Sequence, residues 1–417
     1  MQTAAHRSSM QVPIFKHVLC AMLALLLSAC TRSSALLESG NYRAVLAVPG
    51  GDLPFQVNVS VDHGATVAVI QNGPESVRIT EIERVDDHLV LRIPGYENRL
   101  EVQATEDGYR GDAVMVRPGG KTVRLPLSMT RHQSWRFFPS PDEHPSNING
   151  RWAITFSSDG TSSPAIGEFT QSGAHVTATI LDPTGDHRFI EGEVRGQNLL
   201  LSRFDGGSAY LYHATLQADG TLDGKWWSGA WHVSDLAAHR DEQATLTDPA
   251  STKMPATFSF SFPDLDGKTV SSTDARFRGK VLVVSLGGSW CPNCHDEAAF
   301  LLPLYRELKD QGLEVVFLEF EHFGNLADSV AANRRFVKKL DIPWPMLIAG
   351  ISERENAATK VPDLGKIYAF PTTLVIDRSG KVRDLHSGFS GPATGAHYEA
   401  FKSEFTALIK GLLAETH

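Results

Sequence analysis

Trp290-Cys291-Pro292-Asn293-Cys294 sets two thiols on either side of two residues. The run Lys280-Val281-Leu282-Val283-Val284-Ser285-Leu286 before it reads as a strand, and the stretch after it as a helix. At such a strand-to-helix switch the first thiol meets unpaired N–H groups and the positive end of the helix dipole, which favour a thiolate. The second thiol lies one turn further on and can close a disulfide on the first. The chemistry this pattern serves is thiol–disulfide exchange.

The chain has four cysteines. Cys20 lies inside an apolar N-terminal run and Cys30 ends it, so the folded part carries no disulfide framework, only the exchange pair. A lone Cys-x-x-Cys is also half of a zinc site, but there is no second pair to complete one. His213, His232 and His239 share a β-rich segment without matched ligand spacing. Neither a metal nor a cofactor is expected.

Arg7 and Lys16 precede a short apolar core, Val18 to Ala29, too short to span a bilayer comfortably. Residues 1–29 read as a targeting signal. Leu27-Ser28-Ala29-Cys30 resembles the bacterial lipobox, which implies a lipoprotein anchored through lipidated Cys30. An ordinary cleaved signal and an uncleaved anchor are the alternatives. Thr31, rather than Asp, suits sorting to the outer membrane over the inner one. Loss of residues 1–29 leaves 37 basic against 48 acidic side chains. That acidity argues against nucleic acid or anionic lipid as a charge-driven partner.

The elements that must position the pair follow a long β-rich region, from about Gly40 to Arg240. Alternating runs such as Gln56-Val57-Asn58-Val59-Ser60-Val61 and Val176-Thr177-Ala178-Thr179-Ile180 are separated by Gly, Asn and Asp turns. The region reads as an antiparallel unit duplicated at an offset of roughly 110 residues. Gly40-Asn41-Tyr42-Arg43-Ala44 corresponds to Asn149-Gly150-Arg151-Trp152-Ala153, and Asp87-His88-Leu89-Val90-Leu91 to Gln197-Asn198-Leu199-Leu200-Leu201. Each unit closes as a small barrel, or the two pair as halves of one. The expected units are 30–131 and 147–240, joined by a Pro-rich connector, 132–146. Trp226, Trp227 and Trp231 read as core fillers, with stacking on a ligand as the alternative.

A polar linker, 241–256, leads to residues 257–417, where strands and helices alternate. Asp264-Leu265-Asp266-Gly267-Lys268 reads as a hairpin turn, and Leu313 to Phe320 as a second strand. The helix after the cysteines should run to about Asp310, kinked or broken at Pro303. Leu326, Val330, Val337 and Leu340 mark another helical face. Thr372–Ile376 and Lys381–Leu385 read as a hairpin, and Tyr398, Phe401, Phe405, Leu408 and Leu412 as the stripe of a last helix. The fold class is therefore multidomain: a duplicated antiparallel all-β region, then an α/β domain.

With Phe370-Pro371-Thr372-Thr373 before the hairpin, Phe262-Pro263-Asp264 and Arg278-Gly279-Lys280-Val281, residues 258–413 resemble the thioredoxin fold. More narrowly they resemble the TlpA/ResA-type thiol–disulfide oxidoreductases of the bacterial cell envelope. The resemblance implies Cys291 as attacking thiolate, Cys294 as resolving thiol, and Pro371 as a cis-proline facing them. Glu297 matches an acidic residue that assists proton transfer at the buried thiol. The alternative is a solvated carboxylate beside exposed His295 and Asp296. Trp290 packs beside the active site in that group; plain core packing is the alternative. Ser285 stands where thioredoxin has a buried Asp, and Ala299 where many relatives have a proline.

The resemblance further implies a periplasmic, membrane-anchored enzyme that reduces disulfides of exported proteins, with electrons from a membrane-embedded thiol donor. A peroxiredoxin-type thiol peroxidase is a second reading, but Ser289-Trp290-Cys291 fits its Thr-x-x-Cys setting poorly. In a third, the β region is a binding module for a client protein or cell-wall ligand, against a spacer or a dimerisation surface.

Overall fold

The computed structural model describes residue 2 and residues 36–246 and 254–415. The targeting signal and Cys30 lie outside the described residues.

Nine strands from Gly40–Val48 to Lys121–Arg131 form an antiparallel meander whose first strand pairs with its last, Tyr42 opposite Arg131. The ring stays open at one seam, between Glu75–Ile79 and Ile82–Val85. A second meander runs from Gly150–Ser158 to His232–Arg240. Here Thr161–Ser172 pairs with the strands on both sides, so the ring closes as a barrel, with the short strand Gly185–Asp186 on its rim. Alternation explains the inward faces. Trp152, Ile154 and Phe156 point inward along one strand, while Thr155 between them faces out.

The two meanders repeat local detail. Tyr42 and Trp152 are both fully buried, and each donates from its ring to the carbonyl four residues earlier, Glu38 and Ile148. Each also lies under an arginine of the closing strand, Arg131 or Arg240. The bodies are fused rather than strung together. Phe204, Ala209 and Leu211 of the second sit in the core of the first. Arg136, from the connector, is buried between them and donates to Pro54 O, Ser202 Oγ and Glu191.

The C-terminal domain begins with a hairpin, Ser261–Pro263 with Thr269–Ser271, turned at Asp264-Leu265-Asp266-Gly267-Lys268. Its sheet has five strands: β1 (Val281–Gly287), β2 (Leu313–Glu321), β3 (Met346–Ile351), β4 (Thr372–Ile376) and β5 (Val382–Ser387), in the order β3-β2-β1-β4-β5. Strand β1 is central and buried along its whole length, as its unbroken apolar run requires. The helices are α1 (Pro292–Leu308), α2 (Leu326–Leu340), α3 (Arg354–Lys360) and α4 (Ala396–Ala414).

Two sequence expectations are corrected. Helix α1 runs unbroken through Pro303. Pro303 is exposed, as is Ala299, whose carbonyl loses its N–H partner to the ring; water can satisfy it there. In α2 the buried face is Ser329, Ala332, Asn333 and Phe336, whereas Leu326 is exposed. Polar partners rotate the helix: Asn333 donates to Glu321, and Phe336 stacks on His295.

Candidate active site

Strand β1 ends at Gly287, and Gly288-Ser289-Trp290 turns the chain straight into α1. A Cβ on Gly288 would sit 2.6 Å from Phe320 O, so only glycine lets the turn pass this close. Trp290 donates to that same carbonyl at 2.8 Å and stacks on His322 with centroids 4.5 Å apart. Cys291 is the N-cap of α1, and its sulfur accepts the Cys294 N–H at 3.2 Å. Pro292 follows at the first helical position, where a missing N–H costs nothing. The two cysteines form a disulfide. Cys291 is 4% exposed and Cys294 not at all. The Phe370–Pro371 peptide is cis, and Phe370 O lies 3.6 Å from Cys291 Sγ.

Beneath the disulfide lies a group of buried carboxylates. Glu297 is buried and accepts from Ser285 Oγ and Thr373 Oγ1, each at 2.5 Å. Ser285 thus occupies the place of thioredoxin's acid by holding another. The exposed surroundings expected for Glu297 are not found, since His295 is buried too. Burial alone would lower His386, but its hydrogen bond to Asp384 and the nearby Glu297 carboxylate outweigh it and push it up to about 9. A cationic imidazole therefore stands 3.9 Å from Glu297. Glu321 accepts from Ser289 N, Ser289 Oγ and Asn333 Nδ2, all at 2.8 Å. No donor reaches either oxygen of Glu319, which is held far above the usual carboxylate range by burial and by neighbouring Glu321. A methyl group on Gly287 would lie 3.1 Å from Cys294 Sγ and 3.8 Å from Glu319 Oε1, so acid and thiol meet over one glycine.

The second barrel covers this site. Its rim strand pairs Gly185 with Phe389, Asn293 donates to Asp186 O at 3.1 Å, and Gly391 N donates to Asp186 Oδ1. From the first meander, Tyr96 stacks on His295 at 4.4 Å, and Glu81 pairs with Lys338 beside the open seam. His295 receives Lys339 Nζ on Nδ1 and donates Nε2–H to Ser289 O, so it is the neutral tautomer. Arg188 joins the three bodies, reaching Glu75 at 2.6 Å, Asp296 at 3.0 Å and Asp205 at 3.3 Å.

A model of the Redoxin family matches residues 249–400. ResA thiol–disulfide oxidoreductase of Bacillus cereus is 28% identical over 123 residues, 30% of this chain and 62% of that protein. Its counterpart in Halalkalibacterium halodurans is 27% identical over 151 residues, 36% of this chain and 73% of that protein. The C-terminal domain is thioredoxin-like, of the TlpA/ResA type. A thioredoxin-family thiol:disulfide interchange protein from Chlorobium tepidum aligns with 41% of this chain and 100% of its own, at 22% identity and a TM-score of 0.29. The chain spans less than two thirds of the first-named relative, and the matches fall on its TlpA/ResA-type domain.

Sequence reasoning passed over Glu319, Glu321, His386 and Asp186. The first two left a trace, since Glu-Phe-Glu follows the apolar run Val315 to Leu318 of a strand, where a carboxylate must face the interior on one side or the other. Asp186 left none, because it reaches the TlpA/ResA-type domain from the barrel rim. Burial, and then Asp296, raise Asp186 to about 7. A raised acid stabilises the fold below its unfolded pKa near 4, and that stability is lost as pH rises through about 7. Asp186→Asn should therefore flatten part of the fall in stability between those limits; urea unfolding across pH 4 to 8 measures it. An unchanged slope would assign the titration to another group.

Proposed function

We propose that the protein is an envelope-anchored thiol–disulfide oxidoreductase that reduces disulfides of exported proteins through Cys291 and Cys294. The observation that carries this reading is the Cys291 sulfur at the cap of α1, within bonding reach of Cys294 and against Phe370-Pro371. In the dithiol form the Cys291 thiolate attacks one sulfur of a substrate disulfide; a mixed disulfide forms and the other substrate sulfur leaves as a thiolate. Cys294, deprotonated by a neighbouring carboxylate, then attacks Cys291 Sγ. The Cys291–Cys294 bond forms, the second substrate thiol leaves, and two electrons have passed to the substrate. A membrane-embedded thiol donor restores the dithiol. The lipid on Cys30 fixes the protein to the periplasmic face of a membrane, the outer one by the reading of Thr31.

The β region belongs to this enzyme as a wall of its site, which favours a client-binding role over a spacer. The matched Tyr42 and Trp152 details support its origin as one duplicated unit.

Mixed-disulfide trapping in the native envelope tests the reading. With Cys294→Ser, covalent complexes should accumulate on Cys291 and vanish on reduction, while Cys291→Ser accumulates none. No adducts in either background would sink it. Glu297→Gln should slow release from the mixed disulfide by about 100-fold, the scale of a lost general base. Single-turnover release kinetics would show this, and an unaltered rate would leave Glu297 a structural role only.

A further inference from the structure

The cavity beside the cysteine motif, about 360 Å³, is lined by Trp290 and Cys291 of the TlpA/ResA-type domain and by Asp186, Arg203 and Trp226 of the second barrel. Cys294 lines no part of it and is fully buried. When the disulfide is reduced, the sulfur of Cys294 leaves as a thiolate in a closed interior. Its proton must come from a buried neighbour.

The carboxylates beneath the disulfide differ in what holds them. Glu297 accepts the hydroxyls of Ser285 and Thr373 and faces the His386 imidazole. Glu321 accepts Ser289 N, Ser289 Oγ and Asn333 Nδ2. Donors of this kind favour the ionised form. Glu319 is completely enclosed, and no donor reaches either of its oxygens. Ionised, it would lose its hydration and gain no hydrogen bond, so this is the acid on which a proton settles. Burial raises it, and Glu321 and Glu297 raise it further.

The backbone brings this acid to the sulfur. Glu319 of β2 is the direct partner of Gly287 of β1 in the parallel ladder. Gly287 has no side chain to fill the space between Glu319 Oε1 and Cys294 Sγ, and both lie within 4 Å of where a methyl group would stand. On the other side the ladder partner of Glu319 is Ile348 of β3, which carries no charge. In the disulfide Cys294 Sγ has no hydrogen to give. In the dithiol its S–H is the donor that Glu319 lacks.

We propose that the proton of Cys294 rests on Glu319 while the two cysteines are joined, so that acid and sulfur trade one proton across Gly287 in every turnover. A donor thiolate attacks Cys291 Sγ and forms a mixed disulfide. The Cys291–Cys294 bond breaks, its electron pair goes to Cys294 Sγ, and the Glu319 proton follows. A second donor thiolate attacks the donor sulfur of the mixed disulfide and frees Cys291. The proton returns to Glu319, directly or through Glu297, when Cys294 next attacks. A raised carboxyl approaches the basicity of a thiolate, the condition for transfer in either direction. The inference rests on the oxidoreductase reading of Cys291 and Cys294.

The test equilibrates the full-length protein with reduced and oxidised glutathione at about pH 6 and pH 7, below the ordinary thiol pKa. Wild type is compared with Glu319→Gln, which keeps the shape without the exchangeable proton. Wild-type protein already holds the proton for Cys294, whereas the variant must draw it from solution. The ratio of wild-type to variant equilibrium constants for reduction should therefore rise about tenfold over that pH unit, the effect of one proton. A ratio independent of pH overturns the proposal, because a purely structural glutamate would shift the equilibrium alike at both pH values. If Glu319→Gln is misfolded by its unfolding midpoint, infrared difference spectra of the wild type carry the test. Reduction should abolish the carbonyl band of one protonated carboxyl, and should still do so in Glu297→Gln. No band lost on reduction, or a loss that disappears with Glu297, overturns the proposal. Wild-type protein left oxidised by both glutathione and dithiothreitol overturns the oxidoreductase reading and this proposal with it.

Discussion

Cys291→Ser should remove multiple-turnover disulfide reduction, on the order of 1,000-fold or more, because the nucleophile has no substitute. Among the described residues Cys294 is the only other cysteine, and it is fully buried behind Cys291. A hydroxyl in place of Cys291 still accepts the Cys294 N–H at the helix cap, since serine is a preferred cap. The fold should therefore survive, with an unfolding midpoint near that of the wild type, and the loss belongs to chemistry. Steady-state reduction of a disulfide with a chemical thiol donor measures it. Retained turnover would show that Cys294 reacts unaided, against its burial.

Arg188→Met should destabilise the protein by about 3–5 kcal/mol, the cost of breaking a buried ion pair from one side. Asp205 is almost wholly enclosed and Glu75 nearly so, and both lose a partner; Asp296 at the head of α1 loses its cation as well. Arg203 still faces Asp205, so the loss falls mainly on Glu75 and Asp296. Burial already raises both carboxyls, and removal of the cation raises them further. A raised acid is worth most to the folded state when protonated, so the deficit of the variant should shrink as pH falls toward 5. Urea unfolding at pH 8 and pH 5 gives both numbers. A deficit below about 1 kcal/mol at pH 8 would mean that the arginine merely balances its own desolvation.

The cysteine pair, its strand and its helix were legible because local pattern dictates them: a central strand is apolar throughout, and an N-capping thiol followed by proline opens a helix. The course of the β region as short antiparallel strands was equally readable from turn residues. What escaped was set by contacts across the fold. The run of α1 through Pro303 depends on which side of the helix meets solvent. The rotation of α2 depends on His295 and Glu321, residues from other elements. Strand β3 (Met346–Ile351) went unread because its apolar run is short and lies at the sheet edge.

The site divides in the same way. Cys291, Cys294, Trp290 and Pro371 stand together where the turn into α1 meets the cis peptide, and Glu297 follows one turn further along the same helix. Asp186, Arg203 and Trp226 come from a body ending some 50 residues earlier in the chain, and nothing in their spacing announces a shared cavity.

The intrusion of Phe204, Ala209 and Leu211 into the first core bears on how the molecule comes apart. Asn72 bonds the backbone of Phe204 as both donor and acceptor, which stitches the seal. The first body does not close its apolar interior without the second, so the two should melt in one cooperative transition, and amides of both should share a single global exchange rate. A fragment starting at residue 147 would present that aromatic and aliphatic wedge to water and be prone to aggregate. During synthesis the first body must likewise wait, unsealed, for a strand made about 150 residues later than its own opening one.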